Sequence, residues 1–205
     1  MPKLFIAAGA CSFGTHVVAR ELQLPIEIVK VPLRTPDSPI HHINPLGRVP
    51  ALQLDNGEVI TENSAILPFL ADQTSDHQLF APVGSSERAK IQSWIGYLSS
   101  ELHVGAFRPF NRPERYLADS EQHPAIKAQA RTQIESALQH LEKHLQDGPY
   151  LVGQRFTIAD AYLGVFLGWI SRFNDLLSQY PGLQRAYTQF TQRPSVQQSL
   201  AFEQA

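Results

Sequence analysis

The chain contains a single cysteine, and this scarcity excludes an internal disulfide framework in its 205 residues. It has no apolar run that approaches the roughly 18 residues of a membrane span, and no apolar leader at its N-terminus. Lysine and arginine form no runs and the net charge is −2, so the concentrated basic surface that nucleic acid requires is lacking. These absences predict a cytoplasmic protein that has neither a nucleic acid nor a membrane as its partner.

What the chain does contain is the composition of an ordinary globular protein. Hydrophobic residues make up 43% of it and charged residues 18%. A chain of this length can bury one large core or two small ones. No internal repeat or low-complexity tract is visible.

The first 80 residues alternate short apolar runs with helical stretches, which predicts an α/β unit. The segment Asp55-Asn56-Gly57 lies between two apolar runs and predicts a hairpin, because Asn-Gly supplies the positive φ angles of a tight turn. The order of elements predicts a mixed sheet with helices on its faces. Strands are predicted at 3–7, 26–31, 51–54 and 58–60, and helices at 12–23 and 62–71, with a short or irregular helix inside 32–44.

Helical periodicity dominates the chain from Ser85 onward. One buried stripe is predicted where apolar residues recur at helical spacing from Ile91 to Leu102, and a second from Ile134 to Leu145. Further helices are predicted at 157–172, 183–192 and 195–202. The polar segment 73–86 separates the two patterns, so we predict an α/β domain at 1–77 and an all-helical domain at 86–205.

Cys11 lies between the first predicted strand and the first predicted helix. Amide dipoles at a helix start favour an anion, which predicts a thiolate with a lowered pKa at this position. The alternative is that Cys11 is a small buried hydrophobic residue, which is common for an isolated cysteine in a reducing compartment. No second cysteine is available for a dithiol cycle at this turn.

Two further segments complete a candidate binding site. Val49-Pro50 precedes an apolar strand, and we predict a cis peptide bond there. Glu62 and Asn63 open a helix whose first amides favour a carboxylate, although a simple helix cap is the alternative. Together with Cys11, these segments predict a site for a peptide that bears a thiol.

These segments resemble those of the cytosolic glutathione S-transferases, and most closely those of the bacterial beta class. The segments that carry the resemblance are 9–12, 44–52, 61–66, 100–103 and 153–160, in that order along the chain. The resemblance implies a thioredoxin-like N-terminal domain with a mixed four-stranded sheet, an all-α C-terminal domain that forms the electrophile cleft, and a homodimer.

The resemblance also assigns roles to individual residues. It implies that Cys11 and His103 act at the sulfur of glutathione, with Ser12 as a neighbouring donor. Apart from the resemblance, His103 is one of eight histidines, and a position on the surface is the alternative. Ser100, at i−3, is placed on the same helix face as His103. The residues expected to bind glutathione are Val49, Pro50, Glu62, Asn63 and Ser100, and Arg34 is the cation nearest to the position where beta-class members carry a lysine.

The implied activity is conjugation of the glutathione thiolate to small hydrophobic electrophiles, with glutathione as a cosubstrate and no other cofactor or metal. One alternative is a glutathione-dependent thiol transferase or reductase that works through a mixed disulfide on Cys11. Another is a ligand- or protein-binding member of the fold that has no activity. The residues expected to line the electrophile cleft are Phe13, Phe107, Phe110, Trp169 and Phe173.

Overall fold

The N-terminal half of the protein is built on a mixed four-stranded sheet. The computed structural model describes residues 1–173 and 176–205. Its strands run in the order β2-β1-β3-β4, with β1 parallel to β2 and the other neighbouring pairs antiparallel. The strands are β1 (Lys3–Ile6), β2 (Glu27–Lys30), β3 (Ala51–Gln53) and β4 (Val59–Thr61). The predicted mixed sheet and the Asp55-Asn56-Gly57 hairpin are confirmed.

Helices cover both faces of this sheet. Helix α1 (Phe13–Glu21) and helix α3 (Asn63–Ala71) cover one face, where alternate residues of β1 and the apolar residues of both helices share a core. The short helix α2 (Ile40–Ile43) buries Ile40 in a smaller core on the other face. Alternation along β1 explains both cores, because Leu4 and Ile6 point one way while Phe5 points the other.

The C-terminal half is helical throughout, as predicted. Its α-helices are α4 (Ser86–Tyr97), α5 (Arg108–Asn111), α6 (His123–His144), α7 (Ile158–Ile170), α8 (Pro181–Thr191) and α9 (Pro194–Gln204). Short 3₁₀ turns lie at Pro113–Arg115, Ser120–Gln122 and Leu177–Gln179. No described helix has both the length and the apolar character that crossing a membrane requires.

The first long helix changes its winding along its length. Helix α4 continues without a break into a π-helical stretch, Leu98–Phe107, which then returns to α-winding in α5. In a π-helix each amide bonds five residues back instead of four, so the face on which a side chain lies shifts. The predicted apolar stripe is confirmed up to Leu98 and Leu102, which are both fully buried.

The two halves share one continuous apolar core. Helix α1 packs on α7, and Gly14 allows the close approach, since a Cβ there would lie 3.3 Å from the carbonyl oxygen of Ala161. Arg155 holds the segment that connects α3 to α4. Its guanidinium group donates to the carbonyl oxygens of His77 and Gln78 and forms an ion pair with Glu87 at 2.8 Å. The domain limits 1–77 and 86–205 stay predictions.

Helix α7 begins with a buried capping box. The Asp160 carboxylate accepts from the Thr157 amide and hydroxyl, each at 2.8 Å, and from the Leu151 amide at 2.7 Å. Its pKa is raised by burial to about 6, although these hydrogen bonds lower it. The carboxylate therefore ties the preceding loop to the central helix of the C-terminal half.

Replacing Asp160 with alanine leaves these three buried donors without their acceptor. We expect Asp160→Ala to lower the free energy of unfolding by about 3 kcal/mol, because each abandoned buried donor costs about 1–3 kcal/mol before any relaxation. Urea unfolding at a fixed protein concentration measures the loss. Asp119→Ala removes an exposed cap that accepts from the Glu121 amide and should cost under about 1 kcal/mol. Equal losses in the two variants would contradict this account.

Candidate functional site

A cleft of about 480 Å³ lies between the α/β half and the helical half. One wall is formed by the loop after β1 and by the segments before β3 and α3. The other wall is formed by the end of the π-helical stretch, α5 and the end of α7. The predicted site residues that line it are Cys11, Val49, Pro50, Glu62 and His103.

Cys11 lies half-buried at the floor of the cleft, and its thiol donates to the Val49 carbonyl oxygen at 3.4 Å. Burial and the Glu62 carboxylate raise its pKa to about 12, while the Asn63 side chain and Arg108 lower it to a smaller extent. The prediction of a lowered pKa is therefore wrong for the unliganded protein. The start of α1 does favour an anion, but the loss of water around the sulfur is the larger effect. Cys11 is a neutral thiol donor at neutral pH.

Ser12 does not reach the cleft. Its side chain is fully buried, and its hydroxyl accepts from the Ala7 amide at 3.1 Å. The same hydroxyl lies 3.5 Å from the Ala7 carbonyl oxygen. Ser12 thus closes the loop that carries Cys11 and has no position from which to donate to a ligand sulfur, contrary to the predicted role.

His103 faces the cleft from the helical wall. Its Nδ1 lies 3.0 Å from the hydroxyl of Tyr162, which is almost fully buried on α7, and its ring packs against Phe166 and Trp169. Burial lowers the pKa of His103 to about 4, with further lowering by Arg108 and Arg48. The imidazole is therefore neutral at physiological pH, and the contact with Tyr162 leaves Nε2 for a ligand in the cleft.

The π-helical winding explains why Ser100 lies outside the cleft. Ser100 is exposed, and its hydroxyl donates to the Gly96 carbonyl oxygen at 3.0 Å. The prediction placed Ser100 beside His103 because it assumed α-helical spacing. The wider turn of the π-helix instead brings Ser99 to the buried side, where Ser99 interacts with the Tyr162 hydroxyl. Ser100 is therefore not part of this site within the single chain.

Val49 and Pro50 lie on the cleft wall opposite His103, and the predicted cis bond between them is confirmed. Asn63 is 4% exposed, and its side chain donates to the Cys11 carbonyl oxygen at 3.3 Å, so it braces the cysteine loop. The glutathione-binding role predicted for Asn63 would fall to its backbone amide at the start of α3.

Glu62 reaches the cleft from a strained backbone. Its φ of 71° and ψ of 135° form a conformation that residues other than glycine rarely adopt. Such strain costs about 1–3 kcal/mol and persists only where the surrounding structure imposes it. Here it places an exposed carboxylate at the cleft beside the first turn of α3.

Among the predicted electrophile-contacting residues, Trp169 lines the cleft with a half-buried indole, whereas Phe107 lies at the same wall but is fully buried. Phe13 is buried and faces a separate small cavity behind α7, so it is not part of this wall. Phe110 and Phe173 pack edge to face against each other beside the core. Within the described residues, no group of three or more His, Cys, Asp or Glu side chains is placed to hold a metal ion.

Arginines line this cleft in unusual number for a chain whose net charge is negative. Arg34, the predicted cation, is joined at the cleft by Arg48, Arg108, Arg112, Arg115 and Arg172. Glu62 is the one carboxylate among the described lining residues. The cleft is therefore strongly electropositive and suited to an anionic ligand.

Comparisons with known proteins agree with this architecture. The sequence profile described as "Glutathione S-transferase, N-terminal domain" matches residues 8–73, and the one described as "Glutathione S-transferase, C-terminal domain" matches residues 124–188. A glutathione S-transferase of Escherichia coli O157:H7 is 38% identical over 206 residues, which cover 98% of each chain.

Two solved structures are similar over almost the whole chain. The bacterial beta-class glutathione S-transferase of Sphingomonas chungbukensis is 38% identical with a TM-score of 0.87, and 98% of each chain is covered. A sphingomonad glutathione S-transferase in complex with glutathione is 37% identical with a TM-score of 0.88 over the same shares. The chain belongs to the cytosolic glutathione S-transferase family. Its halves are the thioredoxin-like and helical domains of that fold, and it most resembles the bacterial beta class.

Three contributors to the site escaped prediction. Tyr162 lies within the apolar run of α7, where an aromatic residue indicates core packing, and only its hydroxyl reveals the contact with His103. Arg108 and Arg48 are far apart in sequence, so their convergence on His103 depends on the tertiary fold. The sequence feature that came closest to predicting arginines at the site was their spacing at positions 108, 112 and 115, at the end of a helix.

The environment of His103 can be tested by its titration. We expect nitrogen-detected NMR to give a pKa near 4 for the His103 ring, well below the ordinary 6.5, because burial and two arginines oppose its charge. Arg108→Gln should raise this pKa, whereas the exposed substitution Arg131→Gln should leave it unchanged. A midpoint of 6.5 or above in the unsubstituted protein would refute the neutral imidazole.

Proposed function

We propose that this protein is a glutathione transferase that conjugates the thiolate of reduced glutathione to small electrophiles in the cleft. The observation that carries the proposal is the meeting of Cys11, His103, Val49 and Glu62 at one cleft of a family fold. Val49 and Pro50 offer main-chain contacts to the peptide. The first turn of α3 and the Glu62 carboxylate suit its γ-glutamyl carboxylate and amino group respectively.

The protein's chemical task is to make the ligand thiol lose its proton at neutral pH. A free thiol has a pKa of about 8.5, and lowering it by two units requires about 2.7 kcal/mol of differential stabilisation. The Cys11 thiol can donate to the ligand sulfur if it leaves the Val49 carbonyl oxygen. With the Tyr162 hydroxyl donating to Nδ1, His103 carries its proton on Nε2 and donates as well.

The protonation state of Cys11 suits this task. Burial keeps its thiol protonated, so it places no competing anion beside the sulfur, and the buried His103 imidazole donates in its neutral form. Arg108 acts on both residues through its charge, and the same positive charge would favour a ligand thiolate. Two hydrogen bonds to an anion and a nearby guanidinium are together sufficient for about 2.7 kcal/mol.

The electrophile would lie on the apolar part of the cleft. The half-buried Trp169 indole lies there next to His103, supported by the fully buried ring of Phe107 with ring centroids 5.1 Å apart. An apolar ring stacked there would lie beside the sulfur and exclude water from it. The thiolate would then form a carbon–sulfur bond as the leaving group departs with its electron pair.

The remaining parts of the proposal rest on the family. We propose a cytoplasmic homodimer, with the domains divided within the segment 73–86 that connects α3 to α4. Exposed apolar side chains on the N-terminal half, including Leu46 at 66% exposure, are available for a subunit contact. No cofactor other than the cosubstrate glutathione is proposed.

The test is the titration of glutathione bound to the purified protein, followed by the ultraviolet absorbance of the thiolate. We expect a midpoint at least two units below the roughly 8.5 of a free thiol, because the donors and Arg108 favour the anion. S-methylglutathione, which has no thiol, is the spectral blank. His103→Gln should raise the midpoint, whereas His123→Gln, at the first residue of α6 and outside the cleft, should not. A midpoint equal to that of free glutathione would reject the mechanism.

Cys11→Ala separates conjugation from thiol transfer. A donor that assists the sulfur contributes about 0.5–1.5 kcal/mol, so we expect the kcat/KM for conjugation to fall about tenfold. A thiol transferase would lose all activity, because its mixed disulfide forms on this sulfur. The raised pKa of Cys11, about 12, disfavours that second reaction, since the thiolate is the attacking species. Complete loss of conjugation in the variant would contradict the donor role.

A further inference from the structure

The cleft holds more positive charge than glutathione can neutralise. Its lining includes six arginines but a single carboxylate among the described residues, whereas the chain as a whole has a net charge of −2. Reduced glutathione brings two carboxylates and one ammonium group, and its thiolate form adds one more negative charge. Even with the thiolate bound, the guanidinium groups remain in excess.

Four of the six arginines form two sets that differ in position along the cleft. Arg48 and Arg108 both lower the pKa of His103, after burial, which places their charges near the sulfur site. The Nε of Arg48 is buried and has no hydrogen-bond partner among the residues that the structure describes, so it can still serve a ligand. These two arginines belong with the glutathione end of the cleft.

The second set lies further along the helical wall. Arg112 and Arg115 follow Arg108 at i+4 and i+7, across the end of α5 and the 3₁₀ turn at Pro113–Arg115. Arg112 pairs with Glu114 at 3.6 Å. Arg115 has no carboxylate partner within the described part of the chain and is exposed to solvent. Arg108 and Arg48 are the arginines that act most strongly on Cys11 and His103, so the charge of Arg112 and Arg115 is available for another group of a ligand.

An aromatic side chain lies at the cleft wall next to the sulfur site. Trp169 is half-buried, and the fully buried ring of Phe107 packs edge to face against its indole. A flat ring placed on the Trp169 indole would lie beside His103, which packs against the same indole, in the cleft that Arg112 and Arg115 also line. Guanidinium groups bind carboxylates and sulfonates through paired hydrogen bonds.

We propose that the preferred electrophile carries an anionic group, a carboxylate or sulfonate, which Arg112 and Arg115 bind while its apolar ring lies on Trp169. This inference rests on the proposed conjugation activity and names the substrate class of the same site. It replaces the expectation of purely hydrophobic electrophiles. An uncharged electrophile would occupy the aromatic surface but leave Arg115 without a carboxylate partner among the described residues.

The test compares two electrophiles that differ only in charge, a chlorodinitrobenzoate and its methyl ester. In both, the glutathione sulfur bonds to the ring carbon and chloride leaves with the electron pair of the broken bond. The kcat/KM for each is divided by its uncatalysed rate constant with glutathione, which removes the difference in intrinsic reactivity. We expect the corrected kcat/KM of the acid to exceed that of the ester at least tenfold, and we expect this ratio to fall as KCl is added.

The double variant Arg112→Gln/Arg115→Gln should lower this ratio at least tenfold, while Arg131→Gln, a matched charge loss on the exposed face of α6, should preserve it. Glutathione binding measured by calorimetry confirms that each variant is folded. An unchanged ratio would overturn the inference, as would a raised KM for glutathione without a change in the ratio. Absence of conjugation with both electrophiles would instead reject the proposed function itself, which keeps the two failures distinct.

Discussion

The position of Cys11 depends on hydrogen bonds that reach its loop from the helical half of the protein. The Trp169 indole donates to the Gly9 carbonyl oxygen at 3.0 Å, and the Glu203 carboxylate accepts from the Gly9 amide at 2.9 Å. Gly9 has a φ of 68°, which allows the backbone to turn between these two partners. Because α7 and α9 hold the loop from outside the sheet, the cleft exists only where the two halves are packed together.

The electrostatics of the cleft follow from that packing. Burial holds the Cys11 thiol and the His103 imidazole uncharged, while arginines from four separate segments line the same cleft and supply positive charge. Neutral donors close to the sulfur and cations further out stabilise a thiolate without neutralising it by an ion pair. A protonated imidazole or a cysteine thiolate would each disturb this balance, one by pairing with the ligand sulfur and the other by repelling it.

Local patterns predicted those parts of the protein that local interactions determine. The Asn56-Gly57 turn, the alternating strands and the bond before Pro50 depend on neighbouring residues, and each was predicted correctly. Ser12 and Ser100 were misplaced for reasons that depend on tertiary structure. The Ser12 hydroxyl is used by its own loop, and the winding of the helix turns Ser100 outward. At the majority of helix ends, the observed limit differed from the predicted one by one or two residues, because the sequence defines the terminal turns of a helix poorly.

The π-helical stretch Leu98–Phe107 has a consequence for how this cleft can diverge among relatives. A regular α-helix advances about 100° per residue, and the wider turn of a π-helix changes that angle. The π-helical stretch therefore sets the angle, viewed along the helix axis, between the apolar stripe of α4 and the arginines that begin at Arg108. Point substitutions on the outer wall change the chemistry of the pocket but keep that angle. Insertion or deletion of one residue upstream would instead rotate Phe107 and the arginines together relative to Trp169 on α7, so length variation here would redirect the pocket in a single step.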